Sequence, residues 1–313
     1  MNTPLISIAL CTYNGEKYLE EQLLSLVGQS YQNVEIIAVD DCSSDQTYSI
    51  LKKYEKQYGI KIYQNENNLG FVKNFEKAIG LCNGEYIALA DQDDVWDLQK
   101  IEILKKNIHD HLLIYHNSEL INSSGSSKGK TMLDLMNFVK GSNPLSFLFF
   151  NCISGHSVLF KRDLLNYFFP VPEFLFHDMW LGFVASSLGS ITYVEQCLVK
   201  YRQHEGTKTD LLKEKMVNNA TSKRRERIQM YQDLLEKIRL FKEYPYARSK
   251  DREAFRLLEA AYLRKKSSVF VFPLFLLLIK HFDSLYAITK KSTGSKLIHI
   301  FQDSLGLKPK GLS

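Results

Sequence analysis

The sequence predicts an α/β fold over residues 1–206, a mostly parallel central sheet flanked by helices, followed by a basic helical region at 207–313. Three observations carry this. Short apolar strands alternate with helix-period segments through the first hundred residues, the pattern of βαβ units. Polar clusters follow three of those strands. Past residue 210 the chain turns charge-rich and helical in period.

Ile6-Ser7-Ile8-Ala9-Leu10 reads as the first strand, and Asn14-Gly15 punctuates it. Leu19, Leu23 and Leu26 then recur at helical spacing. Val34 to Val39 is the second strand and ends in Asp40-Asp41. Ser43, Ser44 and Asp45 offer N-caps to a helix with Leu51, Tyr54 and Tyr58 on one face. Ile60 to Tyr63 makes the third strand. Phe71, Phe75, Ala78, Ile79 and Cys82 mark the next helix, and Asn83-Gly84 turns the chain into the strand Tyr86 to Ala90. Asp91-Gln92-Asp93-Asp94 follows, ahead of a helix expected to contain Trp96. Parallel sheets are buried on both faces and take ligands beyond the carboxyl ends of their strands. Thr12-Tyr13-Asn14, Asp40-Asp41 and Asp91 to Asp94 all fall at that edge.

The middle of the chain is less regular. His111 to Tyr115 reads as a strand, Ser123 to Gly129 as a flexible loop, and Pro144 to Phe150 as a buried helix. His156 to Phe160 reads as a strand, Asp178 to Leu188 as a helix, and Ile191 to Val194 and Leu198 to Tyr201 as two short strands. Residues 211–243 and 250–266 are helical in period. Ser268 to Ile279 is an apolar run containing Pro273, well short of the ~20 residues that cross a bilayer. Flanked by Arg264-Lys265-Lys266 and Lys280, it suits either a membrane interface or a helix packed on the first domain.

With 45% hydrophobic and 24% charged residues, the 313-residue chain can bury a substantial core, and disorder is excluded as its dominant state. The net charge of +5 hides an asymmetry. Residues 1–204 carry 17 Lys/Arg against 23 Asp/Glu, while residues 205–313 carry 23 against 12. A basic half of this kind points to an anionic membrane surface or a nucleic acid. No recognised single-strand module accompanies it, so no nucleic acid is expected. The five cysteines are odd in number and lack zinc or redox spacing. With no secretory signal in evidence at the N-terminus, a cytoplasmic protein is expected, with a peripheral place on the inner face of the cell membrane as the further possibility.

Three carboxylates crowded after a strand raise one another's pKa. A divalent cation relieves that cost, and hard oxygen ligands suit Mg²⁺ or Mn²⁺. Such a cation clamps a diphosphate and neutralises a leaving group. The plainer reading of the same residues is an acidic helix start.

The series ISIALCTYNGEKYLEEQLLSL, IIAVDDCSSDQT, NENNLGF and ADQDDVW, in this order and spacing, resembles family 2 glycosyltransferases of the GT-A fold. The resemblance continues through SGHSVLFKRDLL, FHDMWLG and VKYRQHEG to about residue 206. It implies a nucleotide-binding half at 1–110 and an acceptor half at 111–206. DQDDVW, HDMW and YRQH look closest to bacterial rhamnosyltransferases of cell-surface polysaccharide synthesis. The resemblance implies that Thr12 and Tyr13 line the nucleotide base, with Asn14 also among the nucleotide-binding residues, and that Asp40, with Asp41 beside it, accepts a hydrogen bond from the pyrimidine imide. Asp91 is placed near the ribose, Asp93 as a metal ligand, and His204 on the metal or diphosphate. Lys73 matches a basic residue near the nucleotide, or is a surface lysine on its helix. Arg202 is a candidate partner for phosphate. Asp178 matches the general base of an inverting transfer. His177 beside it is a second candidate base, or orients Asp178 or the acceptor. His156 and Trp180 are candidate acceptor contacts, with Trp180 alternatively a core residue. The implied partners are a nucleoside-diphosphate sugar (dTDP-rhamnose or a UDP-sugar) and a glycan or lipid-linked oligosaccharide acceptor. Glucose, galactose or N-acetylhexosamine donors are the alternatives within the enzyme class. A non-catalytic nucleotide- or carbohydrate-binding module is the alternative outside it.

Overall fold

The computed structural model describes residues 3–204 and 220–307. The expected boundary at 206/207, Glu205-Gly206 and residues 211–219 of the expected helix lie outside the described residues. The chain divides into two compact units: residues 1–142 with 152–210, and residues 143–151 with 211–313.

The first unit begins with the expected alternation. β1 (Ile6–Thr12), α1 (Leu19–Val27), β2 (Val34–Asp40), α2 (Thr47–Tyr58), β3 (Lys61–Gln64), α3 (Phe71–Gly80) and β4 (Tyr86–Ala90) follow in order. β1 is buried along its whole length, because helices cover both faces of a parallel block. Gly59, left-handed at φ 70°, ends α2, which only glycine does without strain. Next come β5 (Val95–Trp96), α4 (Lys100–Asn107), β6 (Leu113–Ile121), β7 (Ser127–Thr131), α5 (Met132–Leu135), β8 (Val158–Lys161), α6 (Leu165–Phe168), α7 (His177–Leu188) and β9 (Ile191–Arg202). The sheet runs β3-β2-β1-β4-β8-β6-β9-β5, with β7 beside β6. β3, β2, β1 and β4 are parallel, β8 is antiparallel to both its neighbours, and β9 runs parallel to β6.

Several local expectations are corrected. Trp96 lies on β5, not in a helix. Backbone pairing of Val95 with Lys200 and Trp96 with Val199 holds it there, so the helix starts only at Lys100. The Ser/Gly-rich stretch folds as a hairpin: Asn122 Oδ1 accepts from the Ser124 and Ser126 N–H groups, Gly125 takes φ 84°, and β7 follows. The two strands expected at 191–201 are one strand with register shifts opposite His116–Ser118. His156 sits in a 3₁₀ turn, Gly155–Ser157, ahead of β8.

The second unit holds α8 (Ala220–Glu243), α9 (Ser249–Leu263), α10 (Phe272–Lys280), α11 (Phe282–Leu285) and α12 (Thr293–Asp303). Tyr231, Leu235, Ile238 and Phe241 line one buried stripe of α8, and Phe255, Leu258 and Tyr262 one of α9. The run expected as a helix at Pro144 to Phe150 forms only a 3₁₀ turn, Pro144–Phe147, capped by Asn143 Oδ1 accepting the Leu145 N–H. It belongs to this second unit, where Asn143 Nδ2 donates to Ser284 Oγ and Phe149 and Phe150 pack on Tyr286.

The turn into β4 is tight. A Cβ on Gly84 would lie 2.6 Å from the Ser7 nitrogen and 2.8 Å from the Leu5 oxygen. Those are backbone atoms of the entry to β1, which have no room to move. Gly84→Ala should therefore cost about 2 kcal/mol of stability by overpacking, read from urea unfolding midpoints at unchanged slope.

Candidate active site

The site forms where β1, β2 and β4 end. Beyond β1, Asn14 takes the left-handed conformation at φ 48°, which asparagine tolerates better than most residues. Its N–H donates to Ser43 Oγ, and its side-chain oxygen accepts from the Ser44 N–H. Gln92 then ties the acidic loop to this one. Its Oε1 accepts from the Tyr13 N–H at 2.7 Å, and its Nε2 donates to the Tyr13 carbonyl at 2.9 Å. A Cβ on Gly15 would lie 2.2 Å from Gln92 Oε1, so glycine is what lets the clamp close. The Tyr13 ring is left exposed.

Asp40 and Asp41 shape the neighbouring wall. Asp40 is fully buried and accepts from Thr12 Oγ1, Ser43 Oγ, the Ser43 N–H and Gln64 Nε2. An ionised carboxylate has about four acceptor sites, so a base donor would have to displace one of these. Asp41 accepts from the Leu69 and Gly70 N–H groups and from Asn65 Nδ2, and so fixes the loop ahead of α3.

At the end of β4 the three aspartates diverge. Asp94 is fully buried; one oxygen accepts the Arg202 N–H at 3.0 Å, and Oδ2 has no hydrogen-bond partner. Asp93 Oδ2 lies 2.8 Å from His204 Nε2. Asp91 keeps 39% of its side chain exposed. His156 Nδ1 lies 3.6 Å from Asp94 Oδ2 and 4.0 Å from Asp91 Oδ2, and its Nε2 is 2.9 Å from Ser118 Oγ. Lys100, also fully buried, donates to the His156 carbonyl at 2.6 Å and rests 3.0 Å from the Trp96 ring centroid.

The electrostatics follow from burial and crowding. Burial, then the charges of Asp93 and Asp178, push Asp91 up to about 7; water at its exposed side screens part of that effect. Burial, then the charges of Asp93 and Asp91, push Asp94 up, while burial pushes Lys100 down. Burial pushes His156 down to about 3, leaving a neutral imidazole.

These groups fit a divalent cation. Among the described residues, Asp91, Asp94 and His156 offer ligand atoms within 4.8 Å of one another. The unpartnered buried Asp94 oxygen is a lone pair that calls for a proton or a cation. Asp93 and His204 make a second oxygen–nitrogen pair, with side chains 16% and 22% exposed. That openness suits contact with a substrate, whereas Asp94 and His156 are closed off.

Asp178 lies in the first turn of α7, where the helix N-terminus favours negative charge. Its charge is among those that push the Asp91 carboxyl up. The remaining candidates are reassigned by their surroundings. Arg202 is buried: its guanidinium donates to Glu21 Oε2 at 2.6 Å and to the Asp93 carbonyl at 2.7 Å, and covers the Tyr18 ring. It is a strut under the acidic loop, not a hand for phosphate. Lys73 Nζ is held by Glu76 at 2.9 Å, with Glu173 at 3.7 Å. Trp180 is buried, its indole donating to the Phe168 carbonyl and stacking on Phe183, so it is core and offers no face to a sugar. His156 is buried against the Asp91 and Asp94 carboxylates and has almost no exposed surface to offer an acceptor.

His177 is buried against Phe75 at 4.1 Å between ring centroids, and neither ring nitrogen has a hydrogen-bond partner. Burial pushes it down to about 3. Such a group is a poor proton acceptor at neutral pH, so Asp178 remains as the base candidate. Sequence reading missed three supports. Lys100 was traceable, because it heads the buried stripe of Leu104 and Ile108. Gln92 and Glu21 carry no local signal, since their partners lie far away in sequence.

The His177 environment predicts an acid-side effect. Its folded pKa lies below the ordinary value near 6.5, so its contribution is complete above that value and is lost as pH falls toward 3. His177→Leu should raise stability at neutral pH by about 1 kcal/mol, since two unpartnered buried nitrogens disappear. It should also flatten the acid-side slope by up to about 1.4 kcal/mol per pH unit, read from urea unfolding between pH 7 and pH 4.

Comparison with known proteins bears on the family and the fold. The model of the family described as "Glycosyl transferase family 2" matches residues 7–169. An uncharacterized glycosyltransferase of Haemophilus influenzae is 28% identical over 252 residues, covering 74% of this chain and 75% of the relative. The dTDP-rhamnosyl transferase RfbG of Shigella flexneri is 30% identical over 217 residues, covering 63% of this chain and 72% of the relative. TarS of S. aureus, solved as residues 1–349 with UDP-GlcNAc, superposes at a TM-score of 0.58 with 18% identity, covering 96% of this chain and 80% of that one. Mannosyltransferase PcManGT of Pyrobaculum calidifontis, solved with GDP-Man and Mn²⁺, superposes at 0.51 with 14% identity, covering 97% and 86%. The fold is GT-A, and the chain belongs to glycosyl transferase family 2.

Proposed function

We propose that the chain transfers a sugar, rhamnose by preference, from a nucleoside-diphosphate sugar to a glycan acceptor with inversion of the anomeric centre. The observation that carries the reading is the convergence of an open Asp93–His204 pair, the Asp91 carboxylate and the half-buried Asp178 on one strand edge. Asp93 and His204 would hold Mg²⁺ or Mn²⁺, with Asp91 beside them. When bound, the cation neutralises charge on the departing diphosphate. Gln92 keeps the Tyr13 backbone and the acidic loop in one register, so the exposed Tyr13 ring serves the nucleotide base.

Asp178 takes the proton of the acceptor hydroxyl. That oxygen then bonds to the anomeric carbon as the carbon–oxygen bond to the diphosphate breaks. Asp178 stands in the first turn of α7, where the helix N-terminus favours a negative charge, and its partial exposure leaves it within reach of an acceptor. The rhamnose preference draws on the likeness to RfbG, and with dTDP-β-L-rhamnose as donor the product is an α-rhamnoside. The acceptor is proposed to be a lipid-linked glycan of bacterial surface polysaccharide synthesis, met on the cytoplasmic face of the membrane. No described helix is long and apolar enough to cross it.

A hydrolysis and thermal-shift panel of dTDP-rhamnose, UDP-glucose, UDP-galactose and UDP-N-acetylhexosamines with Mn²⁺ tests the donor; a response only to a UDP-sugar overturns rhamnose. Asp178→Asn should cut turnover by about 10²–10⁴-fold while calorimetry finds nucleotide binding intact. Retained turnover removes Asp178 as base. Asp93→Ala, or a chelator on the parent protein, should weaken donor binding by about tenfold or more, and unchanged binding by either route removes the cation.

A further inference from the structure

Among the described residues, the second unit carries an exposed apolar surface. α10 buries Leu274 and Leu278 on one side and exposes Phe272, Leu276 and Ile279 at i, i+4 and i+7 on the other. Phe272 is 59% exposed and Leu276 51%. α12 adds Ile298 at 59% and Phe301 at 53%. The two helices share one surface, because the Phe270 ring lies 5.5 Å from that of Phe301 and 6.0 Å from that of Phe275. The Phe270–Leu305 bridge ties them together beneath it. Isolated exposed apolar residues need no explanation, but a joined patch of aromatic and aliphatic side chains marks an interaction site.

Charge selects the occupant. From Leu263 to Gln302 the chain carries seven Lys/Arg and a single carboxylate, Asp283. Lys266, Lys280, Lys290 and Lys291, which flank α10 and precede α12 in sequence, are exposed. Two copies of the chain meeting face to face would bring these cations together at a Coulombic cost. An anionic surface would neutralise them while the apolar side chains enter a hydrocarbon boundary. Helix length excludes spanning: the nine residues of α10 reach about 13.5 Å at 1.5 Å per residue, less than half a bilayer's ~30 Å hydrocarbon core.

We infer that the exposed face of α10 and α12 lies in the interface of an anionic phospholipid bilayer, with Phe272, Leu276, Ile298 and Phe301 inserted and Lys280 at headgroup level. This rests on the second unit alone and not on the sugar-transfer reading, so either can fail without the other. The full-length protein should sediment with phosphatidylcholine vesicles containing phosphatidylglycerol, poorly with phosphatidylcholine alone, and less as salt rises. Phe272→Trp should shift its emission to the blue on the mixed vesicles, which an electrostatic contact without insertion would not do. Leu276→Ser with Phe301→Ser, at an unchanged melting temperature, should lower partitioning by about tenfold or more, and Lys280→Gln by about fivefold. Absent sedimentation, partitioning unmoved by the double serine variant, or an unshifted Phe272→Trp spectrum each overturns the inference. A concentration-dependent dimer in light scattering that Leu276→Ser dissolves would assign the face to a second copy instead.

Discussion

Three carboxylates at the end of one strand repel one another, and much of the first unit is arranged to hold them there. Asp91, Asp93 and Asp94 leave β4 together, and no local feature of an isolated strand would keep them close. The backbone of β9 does so. Its Arg202 N–H binds one oxygen of Asp94, and the Arg202 guanidinium binds the Asp93 carbonyl. Lys100 approaches the same cluster from beneath, through the His156 carbonyl. The charge is left incompletely balanced: Asp91 and Asp94 remain pushed up and one Asp94 oxygen is unpartnered. A site in that condition is poised for a cation, which makes its strain the useful property.

The same constraint explains why the most conspicuous basic residue of the site is structural. Arg202 is committed to Glu21, the Asp93 carbonyl and the Tyr18 ring. A planar fork with several donors can brace a loop from several directions, which a lysine could not do. With Arg202 spent below, the partly exposed groups are Asp93, His204, Asp178 and the Tyr13 ring. Gln92 then couples the β1 and β4 loops, so the wall proposed to meet the base and the acids proposed to meet the diphosphate share one rigid frame.

The second unit meets a different requirement. Its helices bury one stripe each and join through Phe241–Phe255 and the bonds of Arg239 and Lys242 to Glu259. Buried Lys265 anchors α12 through Asp303. Past that anchor the apolar residues of α10 and α12 point outward. A soluble domain built to face water on every side would place polar residues there, so this arrangement is costly without an apolar partner.

Local pattern was enough for the parallel block. Periods of two and near four, punctuated by Asn-Gly and ending in acids, marked β1 to β4 and the edge where ligands bind. The acidic cluster stood out as a candidate because it follows an apolar run, whereas Asp178 and His204 were candidates only through the family resemblance. What the sequence could not reveal were the partners of those residues. Trp96 reads as helical until β9, about a hundred residues later, pairs with it. Arg202 reads as a phosphate ligand until Glu21, separated by 181 residues, claims it. Trp180 and His177 read as acceptor contacts until α3 and α6 close over them. Periodicity records which side of an element is apolar, a property of neighbours in sequence. Whether a polar group is open or already satisfied depends on atoms brought close only by the fold, and that decided which candidates remain at the site.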